Sequence, residues 1–445
     1  MKRRDFIKKT TTASASAFLV PHILPSGRLF AQTNPQLAQH VVYVLFAGGV
    51  RQQEAMEMRY LEGSQNENIP GNIMYNMLNG QSPLAKIVYG TTTNINGDTP
   101  ITQILNQTIE SLGTTFREVE SSSAGHYGGL NALLQGNTLA SQGLKQKPLN
   151  PTIFEYVRKH LGIPASKVWF VGNGIGNSTP LLNYSEHPSY GANYGANFLA
   201  PTITFGDEGI EHLSNSKIYH PEEELPEIYK MKYFLDNTFL NVGQTINGIH
   251  NTQEEKQEIK QFFQDMFTQS QSGNIAHPPI SDSGDLRTVG YACEVMKRFA
   301  PILTVVNLSN VDGCHSNFTG YLQALHRADH AVGHIWNYIQ TQVPEMANNT
   351  TMIISPECGR NLQPNFIKDN NDWFAYDHSD ENTKRVFTQM IGSAVPSNLS
   401  IGGVGNQIGL TADGVPTIAE ILGIKNDVIS SGLLDPNAMS LFDRI

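Results

Sequence analysis

Cysteine is scarce in this 445-residue chain: only Cys293, Cys314 and Cys358 occur. An odd, low count excludes a disulfide framework, leaving either one bridge or three buried thiols. Long apolar runs are also missing. Beyond the first thirty residues no stretch is long and apolar enough to span a bilayer. Charge is sparse, at 16% of residues, and basic residues are the scarcer kind, 30 against 40 acidic. Residues 1–31 hold six of the basic residues (Lys2, Arg3, Arg4, Lys8, Lys9, Arg28) and only one acidic residue, Asp5, so the remainder carries 24 basic and 39 acidic residues, a net −15 with histidine neutral. Such a surface excludes nucleic acid as a partner, since phosphate backbones require clustered Lys and Arg. A small anionic substrate is not excluded, because it feels only the field of its pocket.

The N-terminus has a layout of its own. "MKRRDFIKK" pairs Arg3 with Arg4, a modestly apolar run "ASASAFLVPHIL" follows, and Ala31 in "LFAQ" offers a small residue for cleavage. A basic start, short apolar middle and small-residue exit predict a twin-arginine export signal over residues 1–31, and a periplasmic or extracellular mature protein.

From Gln39 onward, strand-like and helix-like segments alternate. "HVVYVLFAGG", "KVWFVGN", "PILTVVNLSN" and "TTMIISPE" are continuous apolar runs, the pattern of strands buried on both faces. Between them "PTIFEYVRKHLGI", "DLRTVGYACEVMKRF", "TGYLQALHRADHAVGHIWNYIQ" and "VPTIAEILGI" have helical spacing. The alternation predicts an α/β fold, a three-layer α/β/α sandwich with a mostly parallel central sheet and Val41–Phe46 inside it. One domain over 39–430 is expected. An Asn-, Gly-, Ser- and Pro-rich insertion at about 173–282 carries the amphipathic candidates "EEELPEIYKMKYFL" and "TQEEKQEIKQFFQDMF".

In such sheets ligands bind beyond the carboxyl ends of the strands. That rule selects Ala47–Arg51, Asp312–Asn317 and Glu357–Asn361. It also directs attention to "SSSAGHYGGLNALLQGN", a glycine-bearing loop opening a helix at His126, where free N–H groups favour an anion. Asp312, His315, Glu357 and His378 are N and O donors of the kind zinc accepts, and His126 stands where it can join them. Arg51 and Arg360, at strand ends, are candidates to hold a phosphate or sulfate, or to anchor loops. Ser121, Ser122 and Ser123 read as a polar linker. His326, His330 and His334 recur every fourth residue on one helix, opposite the stripe of Leu322, Leu325, Val332, Trp336 and Ile339, which predicts a solvent-facing row.

Several of these segments together resemble the alkaline phosphatase superfamily, in its sulfatase-like branch. "GHYGGLNALLQG" is similar to the nucleophile helix there, "DGCHSN" with the following "ALHRADHAVGHI" to an Asp–His metal segment and its helix, and "PTIAEILGI" to a C-terminal signature. "SPECGRN" and "YDHSD" look most like a twin-arginine-exported family within it, with degenerate metal-site motifs. The resemblance implies the superfamily's alkaline phosphatase-like fold and its metal-dependent hydrolysis of phosphate or sulfate esters. Active members hold two ions, commonly zinc. Here the first-strand Asp falls at Ala47, which has no donor, so one ion is expected rather than two. The usual Ser, Thr or Cys nucleophile falls at His126, as ligand, general base or phospho-accepting group. The Asp–His pair maps to Asp312 and His315 with spacing shorter by one, the next Asp–His dipeptide to Glu357 and Cys358, and the last His to His378, with Asp377 beside it. Two readings remain: an exported metal-dependent ester hydrolase, or a binding or assembly protein on the same fold with a one-metal or metal-free site.

Overall fold

The structure is a computed structural model, describing residues 35–60, 68–84, 86–90, 97–137, 147–173, 182–205, 252–275, 277–280 and 283–445. The export segment at 1–31 and the "EEELPEIYKMKYFL" helix lie outside the described residues.

The first apolar run forms β1 (His40–Phe46) at the centre of the molecule, buried along its whole length. Its side chains alternate as a strand requires. Val42, Val44 and Phe46 enter one apolar core, while Val41, Tyr43 and Leu45 enter another. Two cores on two faces make the sandwich three layers deep.

The sheet is completed by β4 (Thr114–Glu120), β5 (Val168–Val171), β6 (Asn197–Leu199), β7 (Leu303–Leu308), β8 (Thr350–Pro356), β9 (Arg385–Gly392) and β10 (Leu399–Ile401); a separate two-residue ribbon joins β2 (Arg59–Tyr60) to β3 (Ile69–Pro70). The eight strands of the main sheet run in the order β10-β4-β9-β8-β1-β7-β5-β6. All neighbouring pairs are parallel except those of β9, which is antiparallel to both β8 and β4. The mostly parallel α/β/α sheet predicted from the apolar runs is therefore present, with Val41–Phe46 interior.

On one face lie α3 (Gln253–Gln271), α4 (Gly284–Phe299) and α5 (Phe318–Gln342); on the other lie α1 (His126–Gln135), α2 (Ile153–Leu161) and α6 (Gly414–Ile421). Among the described residues no helix is long and apolar enough to cross a membrane. The insertion at about 173–282 supplies α3 and also the edge strand β6, which a three-residue run could not reveal by periodicity.

Register decides where the site forms. Phe46 stands level with Leu308 on one side and with Pro356 on the other, so β1, β7 and β8 stop on one line. The segments 47–49, 309–315 and 357–360 therefore emerge side by side. Because β9 runs the other way, its start at Arg385 pairs with the end of β4 at Glu120. The chain before β9 is thereby brought to the same edge as the loop after β4.

Two sequence expectations change here. The row on α5 does not face water: His326 and His330 are buried, and His334 is half-buried. The excursion through residues 69–109 covers that face. The His326 ring contacts the carbonyl of Ile73 (Nδ1 to O, 2.7 Å) and accepts from the Ile101 N–H (2.9 Å), beneath the rings of Tyr75 and Tyr89. Helical spacing reports the side opposite a helix's main stripe but not what another segment lays over it. The three cysteines are free, buried thiols.

Candidate metal centre

His126 opens α1, with Gly125 as N-cap and no side-chain cap, so the first turn is fixed by packing instead. Gly129, one turn on, meets the backbone of Glu357 so closely that an added Cβ would sit 2.2 Å from its carbonyl oxygen. Ser121 holds the preceding loop to the same backbone, its hydroxyl donating to the Glu357 carbonyl at 2.8 Å. The helix mouth is thus clamped onto the end of β8, and His126 projects across the carboxyl edge of the sheet.

Glu357 lies fully buried behind it. Its Oε1 accepts from the Gly48 N–H at 2.6 Å and meets His126 Nδ1 at 2.7 Å. Its Oε2 is buried with no hydrogen-bond partner among the described residues. Burial raises the Glu357 carboxyl above the usual range, opposed by the His126 ring and the Gly48 N–H.

Asp312 approaches from the turn after β7, half-exposed. Its Oδ1 is a hub: His126 Nε2 at 3.1 Å, His315 Nε2 at 3.4 Å and Arg360 Nη2 at 2.9 Å. Burial works against the charge, but these cations hold the Asp312 carboxyl well below the usual carboxylate range. His126, between two carboxylates, shows the reciprocal effect. Burial lowers its affinity for a proton, yet contacts with Asp312, Cys358 and Glu357 outweigh it and raise its pKa to about 11. In the absence of a metal cation the site therefore carries an imidazolium.

His315 is oriented from behind. Its Nδ1 meets Asp377 Oδ1 at 2.8 Å, which turns Nε2 inward toward Asp312 and His126. His378 completes the group; its ring centroid lies 4.2 Å from that of His126 and 4.9 Å from that of His315. Burial, then the neighbouring positive charges of His126, Arg360 and His315, push its pKa down to about 4, so near neutral pH it keeps a lone pair on each unprotonated nitrogen.

The geometry brings His126, Asp312, His315, Glu357 and His378 to one place. One donor nitrogen from each of His126, His315 and His378 lies within 4.8 Å of the other two. Three imidazoles beside a carboxylate fit a borderline divalent cation such as Zn2+. Glu357 stands behind His126 as Asp377 stands behind His315, the arrangement by which carboxylates orient metal-ligating histidines.

The arginines stand elsewhere than a substrate would need. Arg51 is fully buried, paired with Glu54 at 2.5 Å, donating to the carbonyls of Asn361 and Leu362, and stacked 4.1 Å over Tyr376. Arg360 is equally buried; it donates to the Gly48 carbonyl and to Asp312. Both guanidiniums are engaged by the protein itself, so each anchors a loop and neither lines the cleft. Ser123 turns its hydroxyl back to the Gly125 carbonyl at 3.1 Å.

No protein-family model matches the chain. No curated protein matches it either. Solved structures similar to it include a protein in the alkaline phosphatase superfamily from Vibrio parahaemolyticus, at 11% identity over 91% of this chain and 71% of that one, with a TM-score of 0.40. The lipoteichoic acid synthase LtaP from Listeria monocytogenes aligns at 9% identity over 91% of this chain and 75% of its own, TM-score 0.40. A 2-O GAG sulfatase aligns at 10% identity over 87% of this chain and 71% of its own, TM-score 0.40. These likenesses are too distant to assign a function.

Sequence reasoning missed two parts of the site. Asp377 was visible only as a neighbour of His378, while its contact is with His315. The Gly48–Gly49 turn was legible as a double glycine after a strand, but nothing in it signalled that Gly48 would bond Glu357 and Arg360.

Proposed function

We propose that this protein binds a divalent cation, Zn2+ before others, on His126, His315 and His378 with Asp312 beside them, and that the centre hydrolyses a small phosphate or sulfate ester. The observation that carries this is the convergence of three imidazoles from three separate segments, with donor nitrogens within 4.8 Å of one another. A cation bound there supplies Lewis acidity to an ester oxygen and lowers the pKa of an attacking water. The chain's own part is to hold three lone pairs inward. Glu357 fixes the His126 ring from Nδ1, Asp377 fixes His315 from Nδ1, and Arg360 holds Asp312 in place. A cation arriving at His126 takes the place of a proton, so binding releases protons and strengthens as pH rises.

The orienting role of Asp377 gives a specific expectation. Asp377→Ala should weaken Zn2+ binding about 10–100-fold, the usual effect of losing such a partner. Asp377 is half-exposed, so stability should move by no more than about 0.5 kcal/mol. Isothermal titration with Zn2+, run beside a urea melt, checks both.

A second reading, a metal-binding scaffold without turnover, is favoured by particular features. Ala47 offers no donor, Ser123 is folded away from the cleft, and both arginines are occupied. Assays of the zinc-loaded protein on aryl phosphate and aryl sulfate esters separate the two. Turnover that disappears on chelation and in His378→Ala supports the hydrolase; bound zinc with no turnover on either ester supports the scaffold. The export layout of residues 1–31 supports placing either protein in the periplasm or outside the cell.

A further inference from the structure

His126 presents its two ring nitrogens to two different sets of donors. Nε2 faces Asp312, with His315 and His378 around it. Nδ1 faces inward, 2.7 Å from Glu357 Oε1 and 3.7 Å from Cys358 Sγ. One donor atom each from His126, Glu357 and Cys358 again lies within 4.8 Å of the others. Unlike the outer group, this inner one is closed off from solvent: Glu357 and Cys358 are both fully buried.

We infer that Cys358, Glu357 and His126 Nδ1 form a second, buried metal site, selective for a thiophilic divalent cation, with the His126 imidazole bridging it to the outer site. The inference rests on the proposed outer centre but adds an ion that centre does not require.

Two independent features point to a ligand. The first is the composition of the pocket, in which one sulfur, one nitrogen and one carboxylate converge, a set that Zn2+ accepts with one position left open. The second is the unpartnered Glu357 Oε2. A buried carboxylate oxygen without a hydrogen bond costs free energy, and such an atom beside a thiol is explained by a cation. The apo contacts also make sense as a protonated stand-in: the His126 N–H occupies the direction in which the cation would lie. Metal binding balances by proton release. The Cys358 S–H proton and both His126 ring protons pass to solvent, and one imidazolate, one thiolate and one carboxylate replace them around the ions. In the metal-free protein burial raises the Cys358 thiol, so it remains protonated until a cation arrives.

Cobalt substitution reads the thiolate directly. Apo protein loaded with Co2+ should take up two equivalents and develop a sulfur-to-cobalt charge-transfer band in the near ultraviolet. Cys358→Ser should abolish the band and lower uptake to one equivalent. His378→Ala should keep the band while removing the outer ion. Glu357→Gln, which keeps the side chain's shape, should weaken the inner ion and guards against misfolding of the cysteine variant. One equivalent of Co2+ without a sulfur band in the wild-type protein overturns the inner site and leaves the outer centre intact. No Co2+ uptake at all overturns both.

Discussion

Replacing His126 with alanine should abolish zinc binding at micromolar metal, the largest functional effect expected of any single change. The ring is shared. Its Nε2 lies among Asp312, His315 and His378, and its Nδ1 faces Glu357 and Cys358. Removing it leaves His315 and His378 alone in the outer group, two nitrogens where zinc requires three or four protein ligands. It also leaves the buried Glu357 carboxylate with only the Gly48 N–H. Losing a charged hydrogen-bond partner at a buried site costs about 1–3 kcal/mol, with Glu357 relieving part of that cost by taking up a proton. Titration with Zn2+ together with a denaturant midpoint distinguishes the two losses. If His126→Ala bound zinc as tightly as the wild type, His126 would be neither ligand nor bridge.

The largest structural effect is expected from Gly48→Ala. Gly48 sits at φ +123, where a side chain is strained, and an added Cβ would come 2.5 Å from the backbone nitrogen of Asp312. Backbone atoms cannot rotate aside. Strain of about 1–3 kcal/mol adds to overpacking of about 1–3 kcal/mol. The same substitution displaces Asp312 and disturbs the bonds from Gly48 to Glu357 and Arg360, so zinc affinity should fall with stability. Gly313→Ala is the control in the neighbouring turn. Nothing lies within 4 Å of its added Cβ, and stability should change by no more than about 0.5 kcal/mol. A urea series on both variants makes the comparison; equal midpoints would show that the Gly48 turn does not hold the site.

The sheet's central strands were legible because burial on both faces leaves an uninterrupted apolar run, as in "HVVYVLF" and "TTMIISP". The flanking strands were not. β4, "TTFREVE", carries Arg117 and Glu118, which pair with Glu110 and Arg385, and so reads as polar chain. β9 runs antiparallel, a property that no local pattern encodes, yet it is what delivers His378 to the carboxyl edge. The rule that ligands gather beyond strand ends placed His126, Asp312, His315 and Glu357 together correctly as positions. It could not distinguish an arginine facing a cleft from one sealed beneath it. Arg51 and Arg360 are sealed because Glu54 and Asp312 neutralise them and backbone carbonyls take their remaining donors, contacts that only tertiary packing creates. The α5 histidines failed for the same reason. Their polar face is covered by chain some 230–250 residues away in sequence, from Ile73 and Ile101.

The most direct test of the central claim is an anomalous-scattering map at the zinc edge from crystals of the zinc-loaded protein. A peak within ~2.0–2.2 Å of ring nitrogens of His126, His315 and His378 is the predicted result. Crystals equilibrated with saturating zinc that show no density between those three rings would contradict it.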